Sequence, residues 1–387
     1  MRLAARMASI GTETAFEAAA RARALEAEGR DIIHLEIGEP DFDTPANVRE
    51  AAKRALDDGW THYGPPLGLP ALREAIAADA TARKGFAASA DRVVVTPGAK
   101  PIMFYAIESL VEPGVEVIFP DPGFPIYESM TRFCGGTPVR LPIRQEHDFR
   151  IGLDELEQLI TPRTRLLILN SPANPTGGVF TRADVERIGE LVRDHDMVVL
   201  ADEIYGRIVY EGEHVSLASL PGLAERTIVL DGFSKTYAMT GWRLGYAIVP
   251  EPLLAPFSRL IINSVSCTSS FSQLAAVEAL TGPQDTVDAM VEEFRARRGL
   301  IVEGLNSIRG ISCRLPAGAF YAFPDISATG LDGAAFADRL LDETGVCVLA
   351  GTAFGQVGRD HIRISYANSR ENLAEALRRI RGLVEGL

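Results

Sequence analysis

The stretch Thr227-Ile228-Val229-Leu230-Asp231-Gly232-Phe233-Ser234-Lys235-Thr236-Tyr237-Ala238-Met239-Thr240-Gly241-Trp242-Arg243-Leu244-Gly245-Tyr246 decides how this chain is read. Its first four residues form an apolar, strand-like run, and Lys235 follows shortly after that run ends. An amine attacks carbonyls only in its neutral form, and a buried position near an arginine favours that form. The same arginine, Arg243, can hold a phosphate. Ser234, Lys235 and Arg243 therefore read as parts of one site for a phosphorylated aldehyde. A surface lysine in a basic loop would give the same Ser-Lys pair, so the reading depends on the rest of the chain.

Outward from this stretch, apolar strand-like runs alternate with helical patterns. The runs are Val93 to Val95, Val115 to Phe119, Leu166 to Leu169, Met197 to Ala201 and Thr227 to Leu230. Such alternation predicts an α/β fold with a mainly parallel sheet covered by helices. Thr44 and Pro45 read as N-cap and first helical position, with Val48, Ala51, Ala52, Ala55 and Leu56 as the apolar face and Gly59 as the stop. Thr181 likewise opens a helix over Arg182 to His195, with Val185, Ile188, Leu191 and Val192 as a core stripe. The alanine-rich stretch Ala15 to Ala27 reads as a helix of good propensity. After about Leu280 the pattern changes. A long charged helix over Asp285 to Ile308 precedes short strands around Ile311 to Leu315 and Phe320 to Phe323. A helix over Ala334 to Thr344 and a closing helix from Glu371 complete a smaller α+β unit.

The 387 residues suffice for two domains or one large domain with an appendage. A formal charge of -13 without a long basic run argues against nucleic acid or an anionic membrane as the main partner. Cys134, Cys267, Cys313 and Cys347 are widely spaced and suggest neither a metal site nor a disulfide framework. A reducing, cytoplasmic setting is the default expectation. The N-terminus has no unbroken apolar core of a signal peptide, and no apolar run approaches membrane-spanning length.

Three further segments accompany the Lys235 stretch. Leu169-Asn170-Ser171-Pro172-Ala173-Asn174-Pro175-Thr176-Gly177-Gly178 closes one strand with a tight turn, and Ala201-Asp202-Glu203-Ile204-Tyr205 closes another with a carboxylate and a phenol. His361-Ile362-Arg363-Ile364-Ser365-Tyr366 comes last. With these segments in this order the chain resembles the class I/II aminotransferases, the fold-type I pyridoxal-phosphate enzymes, and among them the bacterial aspartate aminotransferases. The resemblance runs from Ile37-Gly38-Glu39-Pro40-Asp41-Phe42 to the Arg363 segment. It implies a large cofactor-binding domain over residues 45–280 and a discontinuous small domain from residues 1–44 and 281–387.

The resemblance also implies roles. Lys235 would form the imine with pyridoxal 5'-phosphate and move the proton at the substrate's alpha carbon. Asp202 would face the pyridine nitrogen and keep it protonated. Tyr205 and Asn174 would hydrogen-bond the cofactor's phenolic oxygen; Ala173 stands where many relatives have asparagine. Ser234, Arg243 and the amides of Gly98, Ala99 and Lys100 would hold the phosphate. Phe124 matches the ring-stacking aromatic, with core packing as an equal alternative. Tyr63 resembles a tyrosine that reaches the phosphate across a dimer interface, which implies a twofold homodimer with shared sites. Arg363 would clamp the substrate's alpha-carboxylate, and Gly38 would bring backbone close to it. Lys100 stands where some bacterial aspartate aminotransferases contact a distal carboxylate; the alternative is a plain helix-terminus lysine.

The expected activity is thus amino transfer between an L-amino acid and a 2-oxo acid, with acidic donors favoured. Aromatic, alanine-type or broad donors stay open, as does a carbon-sulfur beta-lyase, although Tyr205 and the Gly241 to Tyr246 run favour transamination. The run ending in Asp202-Glu203 also looks like the acidic strand of a nucleotide hydrolase. No Gly-x-x-x-x-Gly-Lys-Ser/Thr loop is present to hold a triphosphate. A non-catalytic regulator that binds the same cofactor is a further class, usually marked by a DNA-binding extension.

Overall fold

In the computed structural model, which describes residues 1–387, seven strands form one sheet. Across it the order is Val93–Thr96, Gly245–Ile248, Thr227–Gly232, Val198–Asp202, Thr164–Asn170, Glu116–Asp121 and Thr137–Pro142. Only Gly245–Ile248 runs antiparallel to its neighbours; the other pairings are parallel. The parallel strands all point their carboxyl ends to one edge. In open sheets of this kind ligands bind outside that edge.

The strands read as continuous apolar runs because both faces are covered. Leu166, Ile168, Leu200, Ile228 and Leu230 belong to one buried cluster, while Leu167, Leu169, Val199 and Ala201 between them belong to another. Val93, Val95 and Val229 join a third, against the helices Ala46–Asp57, Pro70–Lys84 and Ser270–Thr281. This alternation is the twofold period of a strand seen from both sides. The Val185, Ile188, Leu191 and Val192 stripe of the helix Arg182–Asp194 lies in the second cluster, as its period requires.

Several boundaries differ from the sequence expectation. Thr44 is not an N-cap: its hydroxyl donates to the Ala238 carbonyl at 2.7 Å and accepts from the Trp242 indole at 3.0 Å. Pro45 takes the N-cap position with extended backbone, and the helix runs Ala46–Asp57. Gly59 does turn the chain, at φ +82°, but Leu56 faces outward, 45% exposed. Around Ile311 to Leu315 no strand forms. The Asn306 side chain brackets the Cys313 backbone, accepting from its N–H at 2.8 Å and donating to its carbonyl at 3.0 Å. A single bridge joins Ser312 to Asp325. Those bonds satisfy the backbone locally, so no ladder is needed. The long charged helix is Asp285–Asn306, and the region 334–344 becomes the helix Gly333–Arg339 followed by a wider turn over Leu340–Thr344.

A small antiparallel sheet, in the order Leu349–Ala350, Ile362–Ser365, Tyr321–Ala322, stands near the carboxyl edge of the large one. Ile33–His34 pairs in parallel with Val346–Cys347, which leads the chain from there into Ile37, Gly38 and Glu39 at the cavity described below. No helix is long and apolar enough to cross a membrane.

Candidate active site

A cavity of about 560 Å³ opens at the carboxyl edge of the seven-stranded sheet, between that edge and the strand carrying Arg363. Asp202 and Asn170 are the last residues of adjacent strands, paired in register, so both reach the cavity. Lys235 follows the Thr227–Gly232 strand by three residues and meets them there. Ser234, Tyr205, Asn174 and Arg363 line the same space. So do Gly38, Ala99, Lys100, Phe124 and Arg243.

The charges in this cavity are poorly compensated. The Lys235 ammonium donates to the Gly38 carbonyl and lies 5.9 Å from the Tyr205 ring centroid. Burial lowers it to about 8; Glu39 opposes the shift, while Arg363 and Arg243 add repulsion. That places a usable fraction of free amine near neutral pH. Asp202 is buried, accepting from the Tyr127 hydroxyl at 2.7 Å and the Ile204 amide at 3.3 Å. Burial raises its carboxyl to about 6 despite those bonds. Arg363 is 4% exposed. It donates to the Asn174 side-chain oxygen at 3.2 Å and to the Glu36 carbonyl, and its buried Nε has no partner. Its cationic head lies over the Tyr321 and Phe354 rings at 4.7 and 4.8 Å. Burial lowers this guanidinium from its ordinary value. A buried carboxylate without a cation and a buried guanidinium without a carboxylate in one cavity call for a ligand that brings both charges.

On the sheet side, the helix Lys100–Leu110 starts at the cavity and no side chain caps it. Pro101 has no N–H and the Ile102 N–H donates to the Ala99 carbonyl at 3.1 Å, so the Lys100 amide and the positive dipole end are what suit an anion here. Gly98, at φ +86°, does not line the cavity itself but lies against Arg243: a Cβ there would fall 2.3 Å from the guanidinium. Gly245 permits an equally close approach, since its Cβ would lie 2.4 Å from the Ala99 nitrogen. Arg243 is largely exposed and donates to the Thr240 carbonyl at 2.8 Å. Ser234 is buried beside them. A helix N-terminus, a hydroxyl and a free guanidinium together are the donor set of a phosphate site.

Phe124 lines the cavity and meets Tyr127 edge-on at 6.0 Å. Tyr63 is not brought into this chain's cavity; it is 90% exposed. Lys100 reaches the cavity, but its ammonium is ion-paired with Glu13.

Sequence reasoning overlooked several residues. Tyr127 holds Asp202, and Tyr321 shares a 2.6 Å hydrogen bond with Tyr205. Tyr321 also explains Gly38, because a Cβ at Gly38 would sit 2.1 Å from its hydroxyl. Asn170 donates to the Asp202 carbonyl at 3.0 Å and accepts from the Asn174 amide at 2.7 Å, tying two cavity residues together. Glu13 and Phe16 come from the first long helix and its cap. Asn170 was legible as the last residue of its strand. Tyr127 and Tyr321 sit in ordinary amphipathic patterns, and only packing distinguishes them.

Comparison with known proteins is consistent over nearly the whole chain. The family described as "Aminotransferase class I and II" matches residues 30–380. An aspartate aminotransferase of Pyrococcus horikoshii is 41% identical over 359 residues, covering 92% of this chain and 91% of the relative. An arginine-pyruvate transaminase of Pseudomonas aeruginosa is 43% identical, with 93% and 92% covered. The crystal structure of an aspartate aminotransferase from Rhizobium meliloti superimposes with a TM-score of 0.95 at 40% identity, covering 100% of this chain and 99% of that one.

Proposed function

Since this chain belongs to the class I and II aminotransferases and transfers amino groups between amino acids and 2-oxo acids, we propose that it does so with pyridoxal 5'-phosphate held in the cavity around Lys235. The observation that carries this reading is the placement of Lys235, lowered to about 8, between an unpaired buried carboxylate and an unpaired buried guanidinium. When bound, the cofactor supplies an aldehyde for amines and a protonated ring that withdraws electrons from the alpha carbon. Ser234, Arg243 and the amides at Gly98 to Lys100 hold its phosphate. Asp202 would hold the ring nitrogen's proton, with Tyr127 fixing the carboxylate. Tyr205, oriented by Tyr321, and Asn174 would bond the phenolic oxygen, and Phe124 would supply the aromatic wall for the ring.

Arg363 binds the substrate's alpha-carboxylate through a planar fork and so sets the direction of the alpha C–H bond. In its neutral form the Lys235 amine would take the proton from that alpha carbon and, as an ammonium, hold it for return. Gly38 accepts a hydrogen bond from Lys235 at its carbonyl and keeps backbone close to the carboxylate. Residues 45–280 form the cofactor-binding domain in this reading, and residues 1–44 with 281–387 the smaller one. The active protein is a homodimer in which Tyr63 of each chain completes the other's phosphate site.

Acidic amino acids such as aspartate or glutamate are the favoured donors, with Lys100 as the cation for the distal carboxylate. Relatives of similar identity bear the names of aspartate and of arginine transfer, so the support lies in the cavity's own residues. The test is the visible absorption of the cofactor-loaded protein on addition of single amino acids without any oxo acid. Bleaching by particular donors, absent in Lys235→Ala, is expected. Colour that persists against every donor, or release of pyruvate and ammonia, would refute the reading.

A further inference from the structure

With Arg243 assigned to the cofactor's phosphate and Lys235 to its aldehyde, Arg363 and Lys100 are the cations left for a substrate in this cavity, and they are not equivalent. Arg363 is buried and has no carboxylate bound to it. Lys100 is ion-paired with Glu13. Glu13 occupies the N-cap position of the helix Thr14–Ala27, where an acidic group would find free amides and the positive dipole end. Its side chain makes no capping bond there and turns to Lys100 instead. The Lys100 ammonium also lies 5.4 Å from the Phe124 ring centroid and 6.0 Å from that of Phe16. This end of the cavity therefore presents aromatic walls around an ion pair of no net charge.

A monocarboxylate substrate brings one negative charge, which Arg363 balances. A dicarboxylate brings a second into a region where Glu13 already holds the one remaining cation, and two carboxylates then compete for one ammonium. We propose that Glu13 is a specificity-determining residue: uncharged side chains enter with the Glu13-Lys100 pair intact, and dicarboxylates enter only by displacing Glu13. This rests on the aminotransferase reading and refines its preference for acidic donors. The pair is partly solvated, with side chains 23% and 39% exposed. Displacing Glu13 therefore has a small cost, and the pair moderates the preference for acidic donors without closing the cavity to them.

The test uses the cofactor-loaded protein as wild type, Glu13→Gln, Lys100→Met and the double variant. One readout is the ratio of kcat/KM for aspartate over phenylalanine. A second, independent of turnover, is the ratio of calorimetric Kd values for succinate and 3-phenylpropionate, neither of which has an amino group to transfer. Glu13→Gln is expected to shift both ratios toward the dicarboxylate by roughly twofold to fivefold, and to have no such effect in the Lys100→Met background. Unchanged ratios in Glu13→Gln, or the same shift without Lys100, would overturn the proposal. Bleaching of the wild type by either donor is scored first, so failure of the aminotransferase reading is seen separately.

Discussion

Lys235 owes its chemistry to the groups around its ammonium. Lysines unperturbed in water titrate near 10.4, whereas burial holds this one at about 8. The amine is protonated below that value and free above it. In protein stripped of cofactor, labelling of Lys235 by an amine-selective reagent should rise with pH and level off above about 8. Labelling of a free lysine derivative in the same solution should keep rising beyond that point, toward its value of about 10.4. Mass spectrometry separates the four lysines, Lys53, Lys84, Lys100 and Lys235. A Lys235 profile that follows the free lysine derivative would contradict the assignment. The neighbouring Asp202 responds in the opposite sense, its carboxyl raised to about 6 by burial, so a cationic ring nitrogen beside it gains most where that carboxyl is ionised.

Elements are joined behind the site by a second set of charges. Lys84 ends the helix Pro70–Lys84 and lies buried between Glu203, just after one strand, and Asp231, near the end of the next, at 2.8 and 2.7 Å. Burial alone would lower its ammonium, yet Asp231 and Glu203 outweigh that and raise it. His214 meets Glu203 as well, at 3.0 Å. The cluster thus fixes the helix against the two strands that deliver Asp202 and Lys235. Lys84→Met would leave the buried Glu203 carboxylate and the partly buried Asp231 carboxylate without their shared cation and should cost about 3–5 kcal/mol in urea unfolding. A loss below about 1 kcal/mol, the range of an exposed pair, would mean that the cluster is solvated.

At the scale of the whole molecule, Trp60 and Tyr63 on one loop and Ile262 and Val265 at the end of the helix Glu251–Ser264 are large apolar residues left exposed. Tyr63 in particular has no place in its own chain's cavity. The proposed twofold dimer with shared sites makes a complementation test possible. Lys235→Ala and Tyr63→Ala chains, each weak alone, should regain roughly a quarter of wild-type activity after mixing and exchange, because each hybrid dimer rebuilds one intact site. No gain on mixing, with exchange verified by mass, would oppose the shared site.

Much of the protein is legible in local physical chemistry along the chain. The apolar runs reveal the parallel sheet because each strand is buried on both faces, and Thr181 opens its helix through a capping box that also engages Asp184. Asp202, Asn174, Lys235 and Arg363 are visible because each stands at the end of a strand or within a short, distinctive segment. Thr44, by contrast, reads as a cap and is used by Ala238 and Trp242. Tyr321 and Tyr127 become site residues only when distant segments pack, and Glu13 meets Lys100 across 87 positions of sequence. Alternation and turn chemistry act over a few residues, so the sequence alone determined the sheet, its edge and the lysine that stands at it. Charge compensation acts through space, so the tertiary structure alone decided which cation in the cavity is free and which is already taken.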